Sequence, residues 1–248
     1  MKEKRPLLYT AKFALVILLT AATVFFLGYI FTTIFINRNS STPLPVFSKT
    51  DKIRFVIDPG HGGEDAGAVA SDGTLEKDLN LEISSLISSI LELNGNEVVL
   101  TRDKDTLLYD KYGDLEDYTG KKKVYDLKNR LKIAEEKENS IYVGIHMNKF
   151  PDPQYSGLQV YYSPNTDASR EIAMDIKETV FKNLQPENRR QIKRANSSIY
   201  ILYNASIPSV LIECGFLSND EELKLLTSED YRRALAINLF SALIKYDS

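Results

Sequence analysis

The sequence predicts an α/β fold: a single three-layer domain with a mostly parallel twisted sheet flanked by helices, preceded by one N-terminal transmembrane helix. Three observations predict it. From residue 53 onward, short β-branched runs alternate with segments of helical period, the pattern of strands joined by crossover helices. The length, 248 residues, suits one core plus an appendage. Near the N-terminus a long uncharged apolar run stands apart from the rest.

That run covers residues 13–36, which are 24 positions rich in Leu, Ile, Val and Phe. As a helix it would extend about 36 Å, enough for a hydrocarbon core of ~30 Å. A cleaved signal peptide is the rival, but its apolar region is normally ~7–15 residues and ends in a small-x-small site. Here Ala21-Ala22 lies mid-run, and Ile34-Phe35-Ile36 is too bulky for cleavage. The tail 1–12 carries Lys2, Lys4, Arg5 and Lys12, against Arg38 alone just after the run. Positive-inside counting leaves that tail in the cytoplasm and places the body on the extracytoplasmic side of a membrane. Residues 37–52 are polar, contain two prolines and read as a tether.

The body, 53–247, reads in order. Residues 53–57 form a strand that stops at Asp58-Pro59-Gly60. Residues 76–94 form a helix with Leu79, Ile83, Leu86, Ile87, Ile90 and Leu93 at helical period, and Gly95 suits its C-terminal cap. A strand follows over 97–101, then a helix over 124–136 with Leu127, Leu131 and Ala134 on one face. Strands at 140–145 and 158–162, a helix at 167–184, a strand at 209–212 and a helix at 228–245 complete the pattern. Between them, residues 103–123 carry scattered charges and three tyrosines and read as a surface loop or a lid.

Composition narrows the function. With 43% apolar residues the chain is not disordered as a whole, and 12 Gly and 9 Pro exclude a collagen-like design. One cysteine excludes an intramolecular disulfide and any thiolate-rich metal site. The net charge of −3 hides a basic first fifty residues and an acidic body, and an acidic body argues against nucleic acid as partner.

Parallel α/β sheets place their sites just past the carboxyl ends of strands. The chain has only two histidines, His61 and His146, and both occupy strand ends, in DPGHGGEDAGA (58–68) and GIHMN (144–148). Taken singly, each reads equally well as an exposed or satisfied imidazole; together they suggest a metal pair, since neutral imidazole is the commonest metal ligand. Glu76 offers a third ligand, although a carboxylate at a helix N-terminus also complements the macrodipole. Glu213 ends the buried run Val210-Leu211-Ile212, as a free carboxylate beside the metal or as half of an ion pair. Two His and one Glu with an open position make a catalytic zinc set, and a nearby carboxylate can serve as general base. A cysteine hydrolase using Cys214 as nucleophile is the rival mechanism, set against a cysteine that merely packs.

The blocks DPGHGGEDAGA, LEKDLNLEIS (75–84), GIHMN, GLQVYY (157–162) and IECGFLSN (212–219) resemble, in order, the zinc-dependent N-acetylmuramoyl-L-alanine amidases of the bacterial cell wall. The resemblance covers about residues 53–247. It implies zinc held by His61, Glu76 and His146, Glu213 as catalytic carboxylate, and hydrolysis of the amide joining muramic acid to L-alanine in peptidoglycan. Three small departures stand out: Gly144 and Met147 replace a more usual Ser and Ala, Cys214 replaces a more usual aliphatic residue, and Met147 is expected to alter how the stem peptide lies near the metal. One anchor, a short tether and a lone catalytic domain resemble the germination-specific branch found in endospore formers. That branch implies a role in cortex maturation beside a peptidoglycan deacetylase that makes muramic-δ-lactam. It leaves room for an accessory activating protein. Division or autolysis of the vegetative wall is the alternative role.

Overall fold

The computed structural model describes residues 19, 20, 22–27, 29, 52–112 and 120–247. Its contacts divide the chain into two units, Met1–Val46 and Phe47–Ser248. In the first, the described residues between 19 and 29 are helical and exposed. Among the described residues no helix is long and apolar enough to cross a membrane. The basic tail 1–12, most of the expected anchor 13–36 and all of the tether except Lys52 lie outside them.

The second unit is a six-stranded mixed sheet. Strands β1 (Arg54–Pro59), β2 (Glu97–Leu100), β3 (Ser140–Asn148), β4 (Gln159–Tyr162), β5 (Lys193–Arg194) and β6 (Ser209–Phe216) lie in the order β2-β1-β3-β6-β4-β5. The four strands β2, β1, β3 and β6 are mutually parallel, while β4 runs antiparallel to β6 and carries β5 parallel to itself. The expectation of a largely parallel sheet therefore holds for its first four strands and not for its edge.

Period-2 alternation sorts the strand residues into two layers. Phe55, Ile57, Ile141, Val143, Ile145, Val210 and Ile212 join the larger core with helices α1 (Glu76–Leu93), α3 (Asp167–Asn183) and α6 (Glu229–Leu243). Val56 and Tyr142 join a smaller core with α2 (Lys122–Ala134) and α4 (Tyr200–Asn204). Helix α1 buries Leu79, Ile83, Ile87 and Leu91, one residue per turn, each worth roughly 1.5–3 kcal/mol. It ends in a Schellman motif. Gly95, at φ 86°, donates its N–H to the Glu92 carbonyl (2.9 Å) and Asn96 to that of Leu91 (3.1 Å).

Several boundaries differ from expectation. Strands β3 and β6 run on past the predicted ends at 145 and 212, carrying His146 and Glu213 within the ladder rather than beyond it. The helix expected at 228–245 is α6 followed by a 3-10 turn, Ile244–Tyr246. A further helix, α5 (Asp220–Thr227), precedes it, capped by the Asn219 side chain, which accepts from the N–H groups of Glu221 (3.0 Å) and Glu222 (3.1 Å). Helix α2 buries Asp126 and Arg130 with Ile133 and Ala134, while Leu127 and Leu131 are only half-buried. Its inward stripe is half charged, for a reason that belongs to the site.

Candidate functional site

The first strand hands the chain to a turn whose backbone is held from outside. His61 has φ 63°, left-handed space that a side-chain-bearing residue occupies at a cost of about 1–3 kcal/mol. The carbonyls of Pro59, Gly60 and His61 accept from side chains. Two buried arginines take them up. Arg130 donates through Nη1 to the Pro59 carbonyl (2.8 Å) and through Nη2 to that of His61 (2.7 Å). Arg102 donates through Nε to Pro59 (2.9 Å) and through Nη2 to Gly60 (3.0 Å). Asn80 on α1 adds a bond to the Gly60 carbonyl (3.1 Å).

Arg130 is in turn fixed by Asp126 (2.7 Å) and by Asp58 (2.5 Å), which also accepts from Tyr142 and Thr101. Burial pushes the Asp58 carboxyl up, but Arg130 and the two hydroxyls outweigh it and hold the pKa below its ordinary value. This network is why α2 turns charged residues inward. The segment 103–112 is fastened to the same turn: Asp105 accepts from the Gly63 N–H (2.6 Å) and pairs with Lys77 (2.7 Å). Leu107 and Leu108 within it are buried, so 103–112, part of the segment expected as a surface loop or a lid, is anchored against the body; residues 113–119 lie outside the described residues.

The structure brings His61, Glu76 and His146 together. His61 Nε2 lies 3.2 Å and His146 Nδ1 3.0 Å from Glu76 Oε1, and one ligating atom from each residue falls within 4.8 Å of the others. Metal–ligand bonds of ~2.0–2.1 Å in a tetrahedron place ligand atoms roughly 3.3 Å apart, so the spacing and the donor types fit zinc. Backbone closeness makes this possible. A Cβ on Gly60 would lie 2.1 Å from the His146 ring, and one on Gly67 only 2.6 Å from Glu76 Oε2.

Glu76 starts α1, and its Oε2 accepts from the Ala68 N–H (2.7 Å) while Oε1 accepts from Met147 (3.1 Å). Burial alone would raise its pKa, but hydrogen bonds and charge from His146 and His61 hold it well below the carboxylate range. Asp65, which sequence reasoning passed over, accepts from His61 Nδ1 at 3.0 Å and so sets which ring nitrogen faces Glu76.

Glu213 pairs in register with His146 on the neighbouring strand. Its Oε2 is buried and has no hydrogen-bond partner among the described residues. Desolvation dominates, with the Glu76 charge adding to it against the two histidines, and the carboxyl is pushed up to about 7. The ion pair that would have given Glu213 a structural role is therefore absent among the described residues. Cys214 and Met147 both leave the site. Alternation turns them into the larger core, where Cys214 is wholly buried and burial raises its thiol pKa. The direction of the thiol, into the core and away from the histidines, argues against a thiol nucleophile, and the Met147 side chain packs in the same core. A cavity of about 440 Å³ opens over the site, with Gly60, His61, His146 and Glu213 at one end and Tyr161, Arg194 and Tyr200 among its other walls.

Residues 55–245 match the N-acetylmuramoyl-L-alanine amidase family. The chain is 34% identical to the germination-specific N-acetylmuramoyl-L-alanine amidase of Bacillus subtilis, over 90% of this chain and 92% of that one. It resembles the CwlD amidase of Clostridioides difficile, solved in complex with the GerS lipoprotein, with TM-score 0.72 and 38% identity, covering 79% of this chain and 98% of that one. The amidase AmiC2 of Nostoc punctiforme is also similar, with TM-score 0.65 and 33% identity over 79% of this chain and 97% of that one.

Proposed function

The chain belongs to the N-acetylmuramoyl-L-alanine amidase family, and from that premise we propose that it hydrolyses the amide between N-acetylmuramic acid and L-alanine in peptidoglycan, during spore cortex maturation. The cortex role is supported by likeness to the germination-specific enzyme across almost the whole of both chains.

His61, Glu76 and His146 would hold zinc, which supplies Lewis acidity for the amide carbonyl and lowers the pKa of water from 15.7 toward ~7. Glu213 removes a proton from the attacking water and delivers it to the departing nitrogen of L-alanine, returning to its starting state. Its raised pKa suits both halves of that task, because a base poised near the working pH both takes and gives up a proton. The observation that carries this reading is the unpartnered, buried Glu213 oxygen beside a convergent two-histidine, one-carboxylate cluster.

The run 13–36 serves as an uncleaved anchor and 37–52 as a tether, holding the domain 53–247 on the wall-facing side of the membrane. A lipoprotein in the manner of GerS is the accessory partner, supported by the complex in which the CwlD neighbour was solved. A deacetylase acting on the stripped muramic acid completes the lactam. The activity is tested on purified cortex peptidoglycan with added zinc: stem peptides with new L-alanine amines should appear and no new reducing ends. Reducing ends in proportion to turnover would make the enzyme a glycosidase.

A further inference from the structure

The cavity over the site is not electrostatically uniform. At its catalytic end each acidic side chain other than Glu213 already has a cationic or imidazole partner: Asp58 and Asp126 face Arg130, and Asp65 faces His61. Lys123 on the same wall lies 3.6 Å from Asp65. Arg194 on β5 also lines the cavity, exposed and with its side chain in no hydrogen bond or ion pair among the described residues. Its backbone is not loose. Strand β5 pairs with β4 at Tyr162, and the next N–H, from Ala195, donates to the Tyr162 carbonyl at 2.9 Å. The body as a whole is acidic, so a free guanidinium fixed on the wall of its catalytic cavity is a local reversal of sign.

The substrate's two arms differ in the same way. The glycan arm of the scissile amide is a neutral acetamido sugar at this point, whereas the peptide arm carries carboxylates, the first of them on the residue after L-alanine. A guanidinium recognises a carboxylate by paired, charge-assisted hydrogen bonds. We propose that Arg194 binds the free α-carboxylate of the second stem residue, so that the peptide arm lies toward β5 and α4 while Glu213 faces the muramoyl–alanine amide. This rests on the amidase reading and adds to it an orientation for the substrate and a preference for stems whose second residue is not amidated. Tyr161 and Leu211, paired across β4 and β6 and half-buried in the same lining, would give the alanine methyl an apolar surface.

The test compares two muramoyl tripeptides identical except that the second residue carries either a free α-carboxylate or a carboxamide there. Binding is measured by calorimetry on the zinc-loaded full chain as Glu213→Gln, with and without Arg194→Gln, so that no turnover intervenes. The free-carboxylate peptide should bind about 10- to 100-fold more tightly than its amide when Arg194 is present. Arg194→Gln should erase that ratio by weakening the carboxylate peptide alone, and Arg194→Lys should restore part of it. Equal binding of the two peptides with Arg194 present, no binding of either, or a ratio that survives Arg194→Gln would each overturn the assignment. Turnover by the unaltered chain is scored separately: failure to cleave either peptide refutes the amidase reading, whatever the binding ratio.

Discussion

The two walls of the catalytic end are built on opposite terms. On the β1 side, every carbonyl from Pro59 to His61 accepts a hydrogen bond from a buried guanidinium or amide, and both nitrogens of His61 face carboxylates. On the β6 side, one carboxylate oxygen has no hydrogen-bond partner among the described residues. The first wall is over-determined, which is what holding a metal in fixed geometry requires. The second is kept unsatisfied at a cost in stability, which is what a proton carrier requires, since a fully paired carboxylate would have its pKa pulled down out of the working range.

Breaking the first wall should have the larger consequences. His61→Ala or His146→Ala should abolish zinc binding and activity together, checked by metal analysis of the purified protein. Normal zinc stoichiometry in both would sink the ligand assignment. Next in size is Arg130→Met. It leaves Asp58 and Asp126 buried without their cation and takes from the His61 carbonyl the guanidinium that bonds it, so the domain should lose about 3–5 kcal/mol in denaturant unfolding. Zinc affinity should fall with it, although Arg130 touches no metal.

The second wall predicts a stability change of the opposite sign. Glu213 has its folded pKa raised to about 7, above the ordinary 4.5, so folding favours its protonated form. Its contribution is fully present below the unfolded pKa and is lost as pH rises through about 7. Metal-free Glu213→Gln should therefore be more stable than the unaltered protein at pH 8 and gain little at pH 5, as measured by thermal unfolding at each pH. The smallest effect belongs to Cys214→Ala, which should cost roughly 1 kcal/mol of core packing and leave turnover near normal.

The sequence made the second wall easier to read than the first. His61, Glu76, His146 and Glu213 were legible because strand ends and helix starts follow from local pattern, and the topology of a parallel sheet gathers them. The supports of His61 were not. Arg130 lies 72 residues from Asp58, and Arg102 lies 42 from Gly60, so neither contact leaves a periodic trace. The pattern showed only part of the inward face of α2: Leu127 and Leu131 pack half-buried against the smaller core with Ala134, while the turn's carbonyls also draw Arg130 inward, and Asp126 with it as its partner. Asp65 sits inside a quoted motif, yet only its distance to His61 Nδ1 distinguishes it from a turn residue. The antiparallel edge was hidden for a related reason. Strand β5 has two residues, too few for any hydrophobic period. Helix α5 was the avoidable miss, since Asn219 followed by Asp220, Glu221 and Glu222 is an N-terminal signal in plain view.

The proposed contrast, a saturated wall to hold metal and an unsatisfied residue to move protons, is tested most directly by measuring zinc content and turnover in the same preparation of Glu213→Gln. Zinc should remain stoichiometric while hydrolysis of the muramoyl–alanine amide falls about 10²–10⁴-fold. Loss of the metal from this variant, or turnover that stays within a few-fold of the unaltered enzyme, would contradict the division of labour between the two walls.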